Sequence, residues 1–172
     1  MIRIASGCWI TAGWLGVATL CAQLPVPRLH AVFPPGGAAG STVEVTVTGS
    51  DLDEATGLVF SDPRVIGTPV PGSSDRFRVP LPAGMSGEQL DLRVQGRHGV
   101  SNPRAFSVGP AARELQWTQP PLTPAQAFDL PLEAVVNGRM GAQEVLWFRV
   151  QGEAGQALGA HIEALELDSR LV

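Results

Sequence analysis

The chain has 172 residues, of which 12 are basic and 16 acidic, and its formal net charge is −4. This negative balance argues against a nucleic-acid partner, because such a partner requires a basic protein face. The length is sufficient for one domain or for two small domains with buried cores.

Residues 1–22 are predicted to form a secretory signal peptide. Arg3 precedes an apolar run over residues 4–20, which glycines interrupt and which is short for a membrane span. Small residues near Ala22 complete the pattern, so we expect cleavage between Ala22 and Gln23. The mature protein is then secreted, periplasmic or part of the cell envelope. Lipid attachment and an uncleaved anchor are the alternatives.

Both cysteines, Cys8 and Cys21, lie inside this predicted signal peptide. The exported part therefore has no disulfide, no thiol nucleophile and no thiolate metal site. Its fold must depend on the burial of apolar side chains. We expect the protein to touch a membrane only through the signal segment.

The stretch FPPGGAAGSTVEVTVTGSDL, residues 33–52, has the glycines of a phosphate-binding loop but no lysine. A phosphate loop needs that lysine and a helix that begins directly after it. Here a strict alternation of β-branched and polar residues follows, which is typical of a strand. We therefore interpret the glycines as a turn that opens a strand.

Seven short strands are predicted in the first two thirds of the chain. They alternate apolar with polar residues and are separated by turn-forming sequences, at the spacing of an all-β sandwich. The predicted strands cover residues 29–33, 42–48, 57–60, 65–69, 76–81, 89–95 and 104–108. Their inward positions predict a core of Val43, Val45, Val47, Phe77, Val79, Leu90, Leu92, Val94 and Phe106.

The order of motifs in residues 29–108 resembles an IPT/TIG domain, which is an immunoglobulin-like module. The likeness consists of a Phe-Pro-Pro-Gly opening, a valine-rich strand that ends in Gly49, and the closing run Ser-Asn-Pro-Arg-Ala-Phe at 101–106. The resemblance implies a β-sandwich that serves for ligand contact or as a spacer. It implies no catalytic residue.

Residues 109–128 contain four prolines and little alternation, so we interpret them as a linker or as the lead-in to a second unit. Further strands are predicted within residues 129–139, 144–150 and 158–167. Together with the run 123–127, the turn 136–139 and the aromatic pair Trp147-Phe148, they make residues 111–172 similar to the start of a bacterial pre-peptidase C-terminal domain.

That resemblance implies a β-sandwich of the kind appended to secreted hydrolases. The family often has an aspartate before the aromatic pair, and here Leu146 occupies that place, so no cation-linked role is transferred. We expect the second unit to be incomplete at Val172, with an open sheet that is marginally stable. The expected fold class is thus all-β, an immunoglobulin-like β-sandwich followed by a partial second β-sandwich.

The sequence has few groupings that could perform chemistry. His30, His98 and His161 lie far apart and have no zinc-ligand spacing. Residues 84–88, GMSGE, lack the last glycine of a nucleophile elbow and are interpreted as a turn. We therefore assign no catalytic, cofactor-binding or metal-binding residue, expect no cofactor, and predict that the chain is not an enzyme.

Two acidic groups and one aromatic group leave alternatives open. Asp51, Asp53 and Glu54 could bind calcium weakly, although a solvated turn is the simpler interpretation. The acids Glu163, Glu166 and Asp168 are explained by alternation along a last strand. The aromatic group has either a packing role or a role in stacking on sugars, and its members are Trp117, Phe128, Trp147 and Phe148.

Two functions fit these features. The first is a non-catalytic exported β-sandwich protein that binds, spaces or anchors, with a protein or carbohydrate ligand at the cell surface. The alternative is the N-terminal accessory region of a secreted hydrolase or peptidase whose catalytic domain is not in this chain. The oligomeric state is left open by the sequence.

Overall fold

The computed structural model describes residues 24–110 and 113–164. The predicted signal peptide, both cysteines, Glu166, Asp168 and residues 165–167 of the predicted last strand lie outside the described residues. The described residues form thirteen strands and one short 3-10 helix, so the all-β prediction is confirmed. Within them, no helix is long and apolar enough to cross a membrane.

Nine strands make up the first unit, and all seven predicted strands are among them to within two residues at each end. The alternation of β-branched and polar residues therefore identified these strands correctly. Their bounds are β1 Arg28–Phe33, β2 Gly36–Ala38, β3 Thr42–Ser50, β4 Gly57–Phe60, β5 Ile66–Pro69, β6 Arg76–Pro80, β7 Glu88–Gly96, β8 Gly99–Val100 and β9 Arg104–Gly109.

The strands follow the order β1-β3-β6-β5-β4-β7-β9-β2, with β8 paired to β7. Strand β5 changes sides: its first residues, Ile66 and Gly67, pair with β4, whereas Thr68 and Pro69 pair with β6. This change divides the strands into two layers. Strand β1 pairs antiparallel with β3 in one layer, and β2 pairs parallel with β9 in the other. The unit is an immunoglobulin-like β-sandwich, as predicted.

The core of the sandwich consists of side chains from both layers. Eight of the nine predicted core residues are buried, and Val43 is partly buried against them. Each such burial contributes about 1.5–3 kcal/mol. The prediction omitted Met85, which lies in the predicted turn before β7 and is fully buried. It also omitted Leu29, Leu58, Val65 and Val108.

The glycine-rich stretch differs from its prediction as a turn. Gly36–Ala38 form strand β2, and only Gly40, with a φ of 79°, has the left-handed conformation of a turn. A Cβ at Gly36 would collide with the Ser107 carbonyl oxygen, and a Cβ at Gly37 would collide with the Val43 side chain. The glycines therefore allow β2 to approach β9 and β3 closely, a long-range requirement that local periodicity does not reveal.

The second unit contains two short parallel strand pairs. Its elements are β10 Arg113–Gln116, the 3-10 helix Pro124–Gln126, β11 Phe128–Asp129, β12 Ala134–Asn137 and β13 Phe148–Arg149. Strand β10 pairs with β12, and β11 pairs with β13. Strand β10 lies in the segment interpreted as a linker or lead-in, and it also contacts β2.

Three predictions for the second unit are wrong. The predicted strand 144–150 is reduced to two residues, no strand is present over 158–164, and residues 136 and 137 of the predicted turn belong to β12. A strand is defined by its ladder partners as well as by its own sequence. Within the described residues, 144–146 and 158–164 have no such ladder, so apolar character alone did not make them strands.

Apolar side chains are distributed very differently in the two units. Apart from Pro121, every buried apolar side chain of the described residues lies between Leu29 and Val108. Ten of the fourteen exposed large apolar side chains lie between Leu122 and Ile162. The first unit therefore has a core of its own, and the second unit presents its apolar side chains to solvent.

Candidate functional site

The three histidines do not form a site. His30 is on β1, His98 is in the turn between β7 and β8, and His161 is exposed in a region without strands. The nearest acid to His161 is Glu163, with 3.8 Å between Nε2 and Oε1. No group of three or more histidine, cysteine or acidic side chains within residues 24–110 and 113–164 could hold a metal ion.

The acidic loop after β3 has a structural role. Leu52 packs against the core, while Asp51 and Glu54 have φ values of 54° and 52° that turn the chain. Glu54 forms an ion pair of 2.8 Å with Arg97 on the neighbouring turn. The loop therefore directs its carboxylates toward solvent and toward an arginine, instead of gathering them around one point.

The turn predicted at residues 84–88 is confirmed. Gly87 has a φ of 83°, and β7 begins at the next residue, so no helix follows as a nucleophile elbow would require. Ser86 is exposed, whereas Met85 beside it is buried in the core. These residues anchor the turn to the sandwich.

Four aromatic residues were predicted either to pack or to stack on sugars, and three of them form a cluster on the second unit. The ring centroids of Trp117 and Phe148 are 5.8 Å apart, and Phe128 lies 6.4 Å from each of them. The Trp117 ring lies so close to Gly138 that a Cβ there would collide with it. We call Trp117, Phe128 and Phe148 the aromatic cluster.

Trp147 is the fourth aromatic residue and lies apart from the aromatic cluster. Its N–H donates to the Pro121 carbonyl at 2.8 Å, and its carbonyl accepts from the Phe128 N–H at 2.9 Å. These bonds fix the backbone of Trp147 beside β11. Because successive side chains of an extended chain point to opposite faces, Trp147 lies on the face opposite Phe148. It is 43% exposed.

The face that carries Trp147 also carries an ion pair. Asp129 and Arg149 are register partners in the β11–β13 pair, and Arg149 donates to Asp129 Oδ1 at 2.9 Å. Alternation places Arg149 on the same side as Trp147, two residues away. We call Trp147, Asp129 and Arg149 the Trp147 face. The Asp129–Arg149 pair could not be predicted from local sequence, since twenty residues separate its members.

Few titratable groups of the described residues have a shifted pKa. Burial raises the pKa of Glu114 on β10, which is half-buried. Protonation of this carboxyl therefore favours the folded state: its stabilising contribution is present at low pH and is lost as the pH rises through the raised pKa. In the first unit, hydrogen bonds from the Arg64 side chain and backbone lower the pKa of Asp62, whose side chain is partly buried.

Comparisons with known proteins find similarity only among solved structures. No protein-family model matches the chain, and no curated protein matches it. One structural neighbour is the Bacteroides ovatus mixed-linkage glucan utilization locus protein SGBP-B, solved in complex with a mixed-linkage heptasaccharide. The similarity has a TM-score of 0.33 and 15% identity, and it covers 58% of this chain and 24% of that one. At that level it carries no argument about this chain.

Proposed function

We propose that this chain is an exported, non-catalytic binding module, in which the sandwich acts as a rigid support and the second unit makes the contact. The observation that carries this proposal is the opposite placement of apolar side chains in the two units. The first unit buries them, and the second unit exposes ten large ones between Leu122 and Ile162. Exposed apolar side chains gathered in one region are typical of an interaction surface.

Two contacts between the units support this division of roles. Strand β10 contacts β2 at the edge of the sandwich. The Arg139 guanidinium lies over the Phe33 ring, 4.4 Å from its centroid, in a cation–π contact that joins the second unit to the first. A surface held in this way is partly pre-organised, which lowers the entropy cost of binding a partner.

The proposal also includes export from the cell and the two kinds of accessory module. The signal-like segment 1–22 supports a secreted, periplasmic or envelope location. The IPT/TIG-like order of motifs in residues 29–108 and the pre-peptidase-like order in 111–172 both support an accessory module. The absence of paired histidines and of a nucleophile elbow from the sequence supports the lack of catalysis.

The proposal predicts where a partner touches the chain. A photo-crosslinking benzoylphenylalanine at Val145, which is 64% exposed on the second unit, should form a crosslink to a partner when the protein is produced in its own cells. The matched control is the same probe at Ile66, which is 59% exposed on the sandwich. Both positions are open to solvent, so exposure alone does not separate them.

The expected result is a crosslinked species at Val145 and a much weaker one at Ile66, detected by a mass shift of the tagged chain. Equal crosslinking at both positions would mean that the second unit has no special role. Absence of any crosslink at Val145 under conditions in which the probe is incorporated and exported would contradict the binding proposal itself.

A further inference from the structure

We infer that the Trp147 face is a binding site for the pyranose ring of a neutral carbohydrate. This inference rests on the proposed function and names the ligand class and the residues of its contact surface. It is carried by one juxtaposition: the exposed Trp147 comes two residues before Arg149 along the chain, and the Arg149 guanidinium is paired with the exposed Asp129 carboxylate.

The exposed indole supplies the apolar half of the site. A pyranose ring has one face of C–H groups, and such a face packs on a flat aromatic side chain whose π surface is negative. Trp147 is 43% exposed, and the ring contacts that hold Trp117, Phe128 and Phe148 together do not include it. Its backbone is fixed by hydrogen bonds to Pro121 and Phe128, so the indole is presented from an ordered strand edge.

The ion pair supplies the polar half of the site. Arg149 donates to one oxygen of Asp129, and within the described residues no other hydrogen bond joins either side chain. The second carboxylate oxygen accepts from hydroxyl groups, and the remaining guanidinium N–H groups donate to them. The side chains are 75% and 52% exposed, so a ligand reaches both.

The charge of this face selects the class of ligand. Asp129 and Arg149 cancel each other, so the face attracts neither an anion nor a cation strongly. A ligand that both donates and accepts hydrogen bonds without carrying charge satisfies both side chains, and vicinal hydroxyls of a sugar do so. A charged polysaccharide or a phosphorylated group would gain from one partner and be repelled by the other.

The aromatic cluster explains why the site is on this face of the strand pair. Phe128 and Phe148 point to the opposite side, where they pack on Trp117. That packing holds β11 against β13 and so keeps Asp129 beside Arg149. The cluster therefore positions the site without touching the ligand.

The test is affinity electrophoresis of the full exported chain in gels that contain dextran, galactomannan or xyloglucan, each a neutral polysaccharide. We expect at least one of them to retard the protein. Trp147→Ala should weaken this binding about tenfold or more, because it removes the stacking surface. Asp129→Ala and Arg149→Ala should each weaken it as well, because each removes hydrogen bonds to hydroxyls.

The matched control is Ile66→Ala, which removes an exposed apolar side chain (59%) from the sandwich and should leave binding unchanged. Trp147→Phe should retain part of the affinity, which a purely structural role of the indole does not predict. Circular dichroism of every variant verifies that the sandwich is folded.

A second readout uses the intrinsic fluorescence of the exported chain, whose two tryptophans are Trp117 and Trp147. In the variant Trp117→Phe, addition of the retarding polysaccharide should change the emission of the remaining indole. The inference is overturned if none of the three polysaccharides retards the protein, or if Trp147→Ala and Ile66→Ala behave alike. If a protein crosslinks at Val145 but no polysaccharide retards the chain, the proposal of a binding module stands and the inference of a carbohydrate ligand is wrong.

Discussion

Replacing Val45 with aspartate should unfold the sandwich. Val45 is 0% exposed in the middle of β3, where it stands opposite Phe77 in the register with β6. A carboxylate there has no partner, and burial of an unpaired charge costs on the order of 4 kcal/mol or more. Since a domain is stable by only about 5–15 kcal/mol, this single change removes a large share of its stability and unfolds a domain at the lower end of that range. Urea denaturation followed by far-ultraviolet circular dichroism measures the loss.

The neighbouring residue provides the control. Thr46 is partly exposed on the outer face of β3, and its register partner on β6 is Arg76. Thr46→Asp places a carboxylate opposite an arginine, so its effect should be within about 0.5 kcal/mol, as for ordinary surface substitutions. If both variants lost stability equally, the inward and outward assignments along β3 would be wrong.

Replacing Asn102 with leucine should detach β1 from the segment that precedes β9. Asn102 Oδ1 accepts from the Leu29 N–H at 2.8 Å, and Asn102 Nδ2 donates to the Leu29 carbonyl at 3.0 Å. This one side chain thus replaces a strand pairing between β1 and the segment before β9. Leucine has a similar volume but no polar atom, and Leu29 is buried, so we expect a loss on the order of 3 kcal/mol.

A graded control separates the two hydrogen bonds. Asn102→Asp keeps the acceptor for the Leu29 N–H and removes the donor, while the Arg104 side chain still donates to the Leu29 carbonyl at 3.2 Å. Its loss should be smaller than that of Asn102→Leu. Hydrogen exchange should show the Leu29 amide released in the leucine variant and protected in the aspartate variant. An unchanged exchange rate at Leu29 in both would contradict this role of Asn102.

Most strands of the sandwich could be predicted because each has an alternation of apolar and polar residues in its own sequence. In β3 the inward Val45 and Val47 alternate with outward threonines, and such alternation depends only on neighbours in sequence. Met85 was missed because a turn sequence surrounds it and its burial comes from the strands that cover it. Strand β2 was missed because glycines have no alternation and its pairing with β9 is set by distant residues.

The second unit was less predictable because its strands depend on partners. Residues 158–164 are rich in apolar side chains, but no ladder within the described residues includes them. The four aromatic residues were identified from sequence, yet their division between two faces of the β11–β13 pair follows from the register of Phe128 with Phe148. Sequence spacing could not bring Asp129 to Arg149, so the polar half of the site was found only in the structure.

The central claim is that a stable sandwich supports a second unit that lacks a buried apolar core of its own. Native-state hydrogen exchange on residues 23–172 tests it most directly. The account predicts that amides of β3, β6, β7 and β9 exchange only through global unfolding. Amides of residues 128–150 should exchange about a hundredfold faster or more, because local opening there exposes little additional apolar surface. Equally slow exchange in both units of a monomer would contradict the claim.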